Sequence, residues 1–137
     1  MKIKIDFFSG DLIEAIGSGV YEVAVTINGE ATSLYIGEST FVLVRCASHL
    51  YELKKKPEYF GFSDDLLGCS DIGLRFSLII PEGDRSRRKE REKIEIEKCK
   101  PKPLCQSGLS DRMKPIEEKV EALAQFLKTV DNCYKKA

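Results

Sequence analysis

The sequence has little of what builds membrane spans, export signals or a basic coat. The opening residues contain no long apolar run of the kind that a signal peptide needs, and no later segment approaches transmembrane length. The 22 Lys and Arg residues are balanced by 22 Asp and Glu residues, so the net charge is zero. A dedicated nucleic-acid coat is basic overall, whereas a local basic face is compatible with neutrality. We therefore expect a cytoplasmic protein without a membrane partner.

Cysteine and histidine are too few and too scattered to predict a zinc site. No two of the cysteines have CxxC spacing, and the single histidine, His49, lies near only one of them. An odd number of widely spaced cysteines is typical of reduced thiols in a cytosolic protein. The five are Cys46, Cys69, Cys99, Cys105 and Cys133.

The chain does contain enough apolar sequence for one compact domain. It has 137 residues, of which 42% are hydrophobic, and this is an ordinary size for a single domain. We expect one domain over residues 1–137. It has no internal repeats or low-complexity tracts, and Lys100-Pro101-Lys102-Pro103 is its only linker-like stretch.

Periodicity predicts a small sheet with helices. Residues 20–28 and 33–38 are rich in β-branched and aromatic residues, and the Asn28-Gly29 pair between them is a hairpin turn signal. Residues 74–80 alternate and then run apolar, which predicts a third strand. We expect an α/β (α+β) fold, with a small three-stranded sheet flanked by helices.

Three segments have helical patterns. Apolar residues recur at helical spacing over 41–56, where Pro57 ends the pattern. Asp84 could cap a helix over 85–98. The region 110–136 predicts an additional C-terminal helix, whose apolar stripe must be buried on the domain or in a dimer. That stripe consists of Ile116, Val120, Leu123, Leu127 and Val130.

Two short strings flank the predicted hairpin turn, Gly19-Val20-Tyr21 and Tyr35-Ile36-Gly37. Arg45 follows the second string by eight positions, and His49 follows Arg45 by four. In this order, with an acidic helix farther on, these residues resemble the GIY-YIG nuclease domain. That family cleaves phosphodiester bonds of nucleic acids with one divalent metal ion. The resemblance covers residues 17–106.

The quoted residues have chemistry that fits this resemblance, and each also has an ordinary structural explanation. Tyr21 and Tyr35 can point to one face of the hairpin if the strand register matches, but two tyrosines are also common in a core. Arg45 and His49 share one helix face. Arg provides planar donors for phosphate, and His can relay a proton; the alternative is a solvated Arg and a half-buried His.

The resemblance places a metal-binding Glu on the helix over 85–98. Glu92 is the preferred ligand if Lys100-Pro101 matches the Lys-Pro motif that closes the family's domain, and Glu95 is the runner-up if Lys102-Pro103 does. The family's closing Asn is missing, and Leu104 or Gln106 stands nearby.

Basic residues could contact the phosphate backbone around this site. Arg85 and Arg88 lie on the stripe that carries Glu92, and Lys54, Lys55 and Lys56 end the preceding helix. A charged helix of this kind is otherwise a solvated face with salt bridges.

The resemblance implies a metal-dependent endonuclease that hydrolyses nucleic acid, with DNA preferred over RNA. Mg²⁺ or Mn²⁺ held by Glu92 would contact a phosphate oxygen and the leaving 3′ oxygen, Tyr21 would position the attacking water with Tyr35 or His49, and Arg45 would stabilise charge. No separate DNA-binding domain is evident, so specificity could come from a homodimer or a partner. The alternatives are an inactive GIY-YIG-like binding or regulatory module and an unrelated α/β interaction domain.

Overall fold

The computed structural model describes residues 2–130, which form four strands and four α-helices. This confirms the predicted α+β class. The strands are β1 (Lys4–Phe7), β2 (Gly19–Ile27), β3 (Glu30–Ser39) and β4 (Ile72–Pro81). The helices are α1 (Val42–Lys55), α2 (Asp64–Leu67), α3 (Arg85–Lys98) and α4 (Ile116–Lys128).

The hairpin between β2 and β3 turns at Asn28 and Gly29, as predicted. Both residues have positive φ, 54° at Asn28 and 80° at Gly29. Asn and Gly adopt this left-handed conformation at low cost, and a two-residue turn of this kind matches the twist of the strands. The turn sets the register of the strand ends next to it, and a register shift between Val23 and Ala24 then places Tyr21 opposite Gly37 and Tyr35 opposite Val23.

The prediction of a three-stranded sheet was wrong by one strand. The order in the sheet is β1-β4-β2-β3, in which β1 pairs parallel with β4 and the other pairs are antiparallel. The strand β1 is only four residues long, and it pairs Lys4 with the distant Gly73. Its pairing is therefore long-range, and no local turn or long alternation marks it in the sequence.

Helices cover both faces of this sheet. Tyr21 and Tyr35 belong to the larger core with residues of α1 and α4, whereas Val20 and Ile36 pack with Ile96 of α3. Neighbouring residues of a strand point to opposite faces. Helices α1 and α4 therefore lie on one face and α3 on the other, and β3 is an edge strand that both layers can reach.

The C-terminal helix is shorter than the predicted 110–136. It begins at Ile116 directly after Pro115, and residues 131–136 lie outside the described part of the chain. Leu123 and Leu127 are buried in the domain's own core, which was the first of the two predicted possibilities, the other being burial in a dimer. The other end of the stripe, Ile116 and Val120, is only half-buried.

Among residues 2–130 no helix is long and apolar enough to cross a membrane.

Cys46, Cys69, Cys99 and Cys105 are free thiols, and Cys133 lies outside the described residues. Burial raises the pKa of the Cys105 thiol to about 12, so this cysteine is an unreactive part of the core.

Candidate active site

Tyr21 and Tyr35 lie side by side on the α1 face of the hairpin. Tyr21 pairs with Gly37, and Tyr35 stands two residues before Gly37 on the neighbouring strand, so the tyrosines are diagonal neighbours. Their ring centroids are 6.2 Å apart, and each side chain is 1% exposed. The expected convergence of the two phenols on one face is therefore observed.

The glycines of the two strings leave room for this arrangement. A Cβ atom at Gly37 would lie 2.5 Å from the Tyr21 hydroxyl oxygen and 3.0 Å from Cε2 of Tyr35. A Cβ at Gly19 would lie 2.6 Å from the carbonyl oxygen of Ile80 on β4. Contacts this short are not tolerated in a packed interior. The chain therefore needs glycine at position 37 because of the two tyrosines, and at position 19 because of the neighbouring strand β4.

His49 connects Tyr21 to a residue that the sequence did not reveal. The Nε2 atom of His49 is 2.8 Å from the Tyr21 hydroxyl, and its Nδ1 atom is 2.7 Å from the hydroxyl of Tyr59. Burial, and secondarily the nearby Arg45 charge, lower the pKa of His49 to about 3. The imidazole is therefore neutral at physiological pH and bound on both sides.

Arg45 lies one turn before His49 on α1, on the exposed side of the tyrosine cluster. Burial raises the pKa of Tyr21 and of Tyr35 well above the ordinary range, and the Arg45 charge opposes this rise at both phenols. The phenols are therefore protonated in the resting protein. They act as hydrogen-bonding groups unless another cation joins Arg45.

Glu92 comes from α3 and is buried, at 2% exposure. One of its carboxylate oxygens, Oε2, has no hydrogen-bond partner. Burial raises the pKa of Glu92 to about 7, although Lys89 and the backbone amide of Glu38 favour the charged form. Glu92 is buried because α3 packs this face against the edge strand β3.

Glu95, the runner-up ligand, is already neutralised. Its Oε2 atom lies 2.8 Å from Nε of Arg91 and 3.4 Å from Nζ of Lys98. A carboxylate held by two neighbouring cations is a weaker candidate for a metal than one with a vacant oxygen. The local geometry therefore favours Glu92 over Glu95.

Glu92 is linked to the tyrosines around the edge of β3. The Tyr35 hydroxyl donates to the main-chain carbonyl of Asp111, and the charges of Asp111 and Glu92 both act on the pKa of Tyr35. Nζ of Lys89 lies 3.1 Å from Glu38 and 3.9 Å from the Asp111 carboxylate. The predicted site residues thus form two neighbouring groups that share Tyr35.

The predicted phosphate-binding residues separate into buried and exposed ones. Arg88 is 5% exposed, and its Nε donates to Glu38 at 2.9 Å. Its guanidinium also donates to the carbonyls of Glu82 and Gly83, so Arg88 braces α3 against β3 and is not free for phosphate. Arg85 is exposed, as are Lys54, Lys55 and Lys56 at the end of α1.

Gln106 stands near the position where the resemblance lacks its closing Asn. The backbone amide of Ile36 donates to Gln106 Oε1 at 2.7 Å, and Gln106 Nε2 donates to the Ile36 carbonyl at 2.9 Å and to that of Ser110. This paired contact ties the segment after α3 to the edge of β3. The segment that carries Gln106 has no periodicity, so the sequence did not predict this contact with β3.

Comparison of the chain with family models, with curated proteins and with solved structures gave no match. A buried carboxylate oxygen without a partner fits a divalent cation. Within residues 2–130 no three His, Cys, Asp or Glu side chains are arranged to hold a metal, so a cation at Glu92 would take most of its ligands from water and phosphate.

Proposed function

We propose that the protein is a metal-dependent endonuclease of the GIY-YIG type, which hydrolyses phosphodiester bonds of nucleic acid, with DNA preferred over RNA. The observation that carries this proposal is the buried Oε2 atom of Glu92, which has no hydrogen-bond partner. The charge of Glu92 also acts on the pKa of Tyr35. A structural carboxylate would be expected to have both oxygens satisfied. A vacant one is available to a metal ion.

Glu92 would hold a metal ion that supplies charge stabilisation. A Mg²⁺ or Mn²⁺ ion at Glu92 would neutralise negative charge on the phosphate and its leaving oxygen. The binding of such an ion also removes the cost of holding the Glu92 charge in a buried position.

Tyr21 positions the attacking water. Its hydroxyl is bound to neutral His49, which fixes the orientation of the phenol. The water oxygen forms a bond to phosphorus, and the bond between phosphorus and the 3′ oxygen breaks with its electron pair on the 3′ oxygen. The products are a 5′-phosphate and, once the 3′ oxygen takes up a proton, a 3′-hydroxyl.

Arg45 is suited to stabilise the phosphate as its charge increases. It lies at the surface beside two buried phenols, and its permanent charge and planar donors match a phosphate group. Exposure leaves its guanidinium accessible to a substrate. Exposed Arg85 could contact neighbouring phosphates.

The test is incubation of supercoiled plasmid and of single-stranded DNA and RNA with the protein in Mg²⁺, Mn²⁺ or EDTA. We expect nicking that requires the divalent ion, and product ends that carry a 5′-phosphate and a 3′-hydroxyl. Absence of cleavage on every substrate in both metal ions would contradict the proposal.

One observation favours the second candidate, an inactive binding or regulatory module. The Tyr35 hydroxyl is occupied by the Asp111 carbonyl, and the Lys89 ammonium lies between the carboxylates of Glu38 and Asp111. A protein of this kind would bind nucleic acid or a protein without any metal-dependent cleavage. The same plasmid assay, combined with a binding measurement, separates the two functions.

A further inference from the structure

The only histidine of the chain has a phenol on each of its two nitrogens. Tyr21 is 2.8 Å from Nε2, and Tyr59 is 2.7 Å from Nδ1. A neutral imidazole has one N–H, so it donates to one phenol and accepts from the other. The three side chains thus form a continuous hydrogen-bonded row.

The row runs from the interior toward the surface. Tyr21 and His49 are each 1% exposed, whereas Tyr59 lies half-buried in the 3-10 turn over Pro57–Phe60. That turn lies outside every motif of the resemblance. Its position at the end of the row gives Tyr59 access to solvent that Tyr21 lacks.

A cation from the C-terminal helix lies over the outer end of this row. Nζ of Lys119 is 5.0 Å from the centroid of the Tyr59 ring, and Lys119 is 5% exposed. Nζ of Lys119 donates a hydrogen bond to the sulfur of Met113, at 3.7 Å. An ammonium over an aromatic face holds the ring in place, so α4 fixes the position of Tyr59.

We infer that Tyr59 is a positioning residue of the proposed hydrolysis, which holds His49 as the Nδ1–H tautomer and completes a proton path from Tyr21 to solvent. This inference rests on the proposed function. As water attacks phosphorus, its proton passes to the Tyr21 oxygen, and the Tyr21 proton passes to Nε2 of His49. The Nδ1 proton then passes to the Tyr59 oxygen, whose own proton leaves to water. Each group ends with as many protons as it began with.

Because His49 is the only histidine, nitrogen NMR of its imidazole reports the tautomer without ambiguity. In metal-free wild-type protein at pH 7 we expect Nδ1 to carry the proton and Nε2 to be unprotonated. Tyr59→Phe keeps the ring under Lys119 but removes the acceptor of the Nδ1 proton, so it should shift the tautomer equilibrium.

The matched control is Tyr51→Phe. Tyr51 is also an aromatic ring with a lysine over it, since Lys55 Nζ lies 5.3 Å from its centroid, but it is exposed on α1. This variant should leave the His49 spectrum and the cleavage rate unchanged. Tyr59→Phe should lower kcat on the order of 10- to 100-fold, with little effect on KM, because general acid–base assistance is of that order or larger.

The outcomes separate this inference from the proposed function. If wild-type protein cleaves but His49 carries its proton on Nε2, or if Tyr59→Phe cleaves at the wild-type rate, the relay is wrong and the nuclease proposal stands. If wild-type protein does not cleave, the proposed function fails and the relay with it. The relay is supported only if wild-type protein has the Nδ1–H tautomer and Tyr59→Phe cleaves slowly.

Discussion

The hydroxyl of Tyr21 occupies the space that a side chain at Gly37 would need. The two residues face each other across the β2–β3 hairpin, and a Cβ at position 37 would lie 2.5 Å from the Tyr21 oxygen. Gly37, the last residue of the second string, thus leaves the space that the side chain of Tyr21, the last residue of the first string, fills. The same packing keeps Tyr21 within hydrogen-bonding distance of His49.

Gly37→Ala should therefore displace Tyr21 and break its hydrogen bond to His49. We expect a loss of stability of about 1–3 kcal/mol from overpacking, and loss of most metal-dependent cleavage. Urea unfolding and the plasmid assay measure the two effects. Gly10→Ala is the control, since nothing lies within 4 Å of a Cβ there. Full cleavage by Gly37→Ala would contradict a site built on Tyr21.

Buried His49 should make the fold sensitive to acid. Its pKa is about 3 in the folded protein against 6.5 for the free side chain, so the unfolded state takes up a proton first as the pH falls. Stability should be constant from this source above pH 6.5 and fall by about 2 kcal/mol by pH 5. Protonation of Glu92, whose pKa is raised to about 7, acts in the opposite direction over this range, so urea unfolding at pH 7.5 and pH 5 measures the His49 effect as a difference from a variant that lacks the imidazole.

The control for the acid effect is His49→Gln, which keeps hydrogen-bonding groups but cannot titrate. The fall in stability between pH 7.5 and pH 5 should be smaller in this variant than in wild-type protein. An equal fall in the two proteins would mean that other groups determine the acid sensitivity.

Arg45→Ala should impair catalysis more than folding. The side chain is exposed, so its removal leaves no cavity in the core. If it stabilises charge on the phosphate, kcat should fall on the order of 100-fold or more, while binding of Mn²⁺ to the protein alone is retained. Arg45→Lys should restore only part of the rate because it lacks the planar donors. A wild-type rate in Arg45→Ala would exclude this function.

Nucleic-acid binding should weaken as salt rises. Arg85 is exposed on α3 near the site, whereas Lys4 is exposed on β1 at the opposite edge of the sheet. With a DNA duplex in EDTA, Arg85→Ala should reduce the slope of log K against log salt by about one, and Lys4→Ala should not change it. Equal slopes in all three proteins would place the binding surface elsewhere.

The parts of the fold that depend on local chemistry were predictable. Asn28-Gly29 sets the hairpin through its backbone preferences. Helix α3 has the predicted bounds because Asp84 caps it, with Oδ1 accepting from the Arg87 amide at 2.9 Å. The short strand β1 was missed because its only signal is its distant partner β4.

The candidate site was predictable in its motif residues but not in their partners. Tyr21, Tyr35 and His49 come together because strand register and helix spacing fix their faces. Arg88 of α3 was expected to contact phosphate, but it binds Glu38 of β3, 50 residues earlier in the chain. Tyr59, Gln106 and Asp111 lie in segments without periodicity, and only tertiary packing brings them to the site.

The most direct test of the nuclease proposal compares Glu92→Gln with Glu95→Gln in the Mg²⁺-dependent nicking assay. Gln preserves the size of both side chains, and Glu95 is the matched control because Arg91 and Lys98 already neutralise it. We predict that Glu92→Gln folds, loses detectable nicking and no longer binds Mn²⁺, whereas Glu95→Gln nicks at the wild-type rate. Wild-type nicking by Glu92→Gln, or loss of nicking in Glu95→Gln alone, would contradict the assignment of Glu92 as the metal ligand.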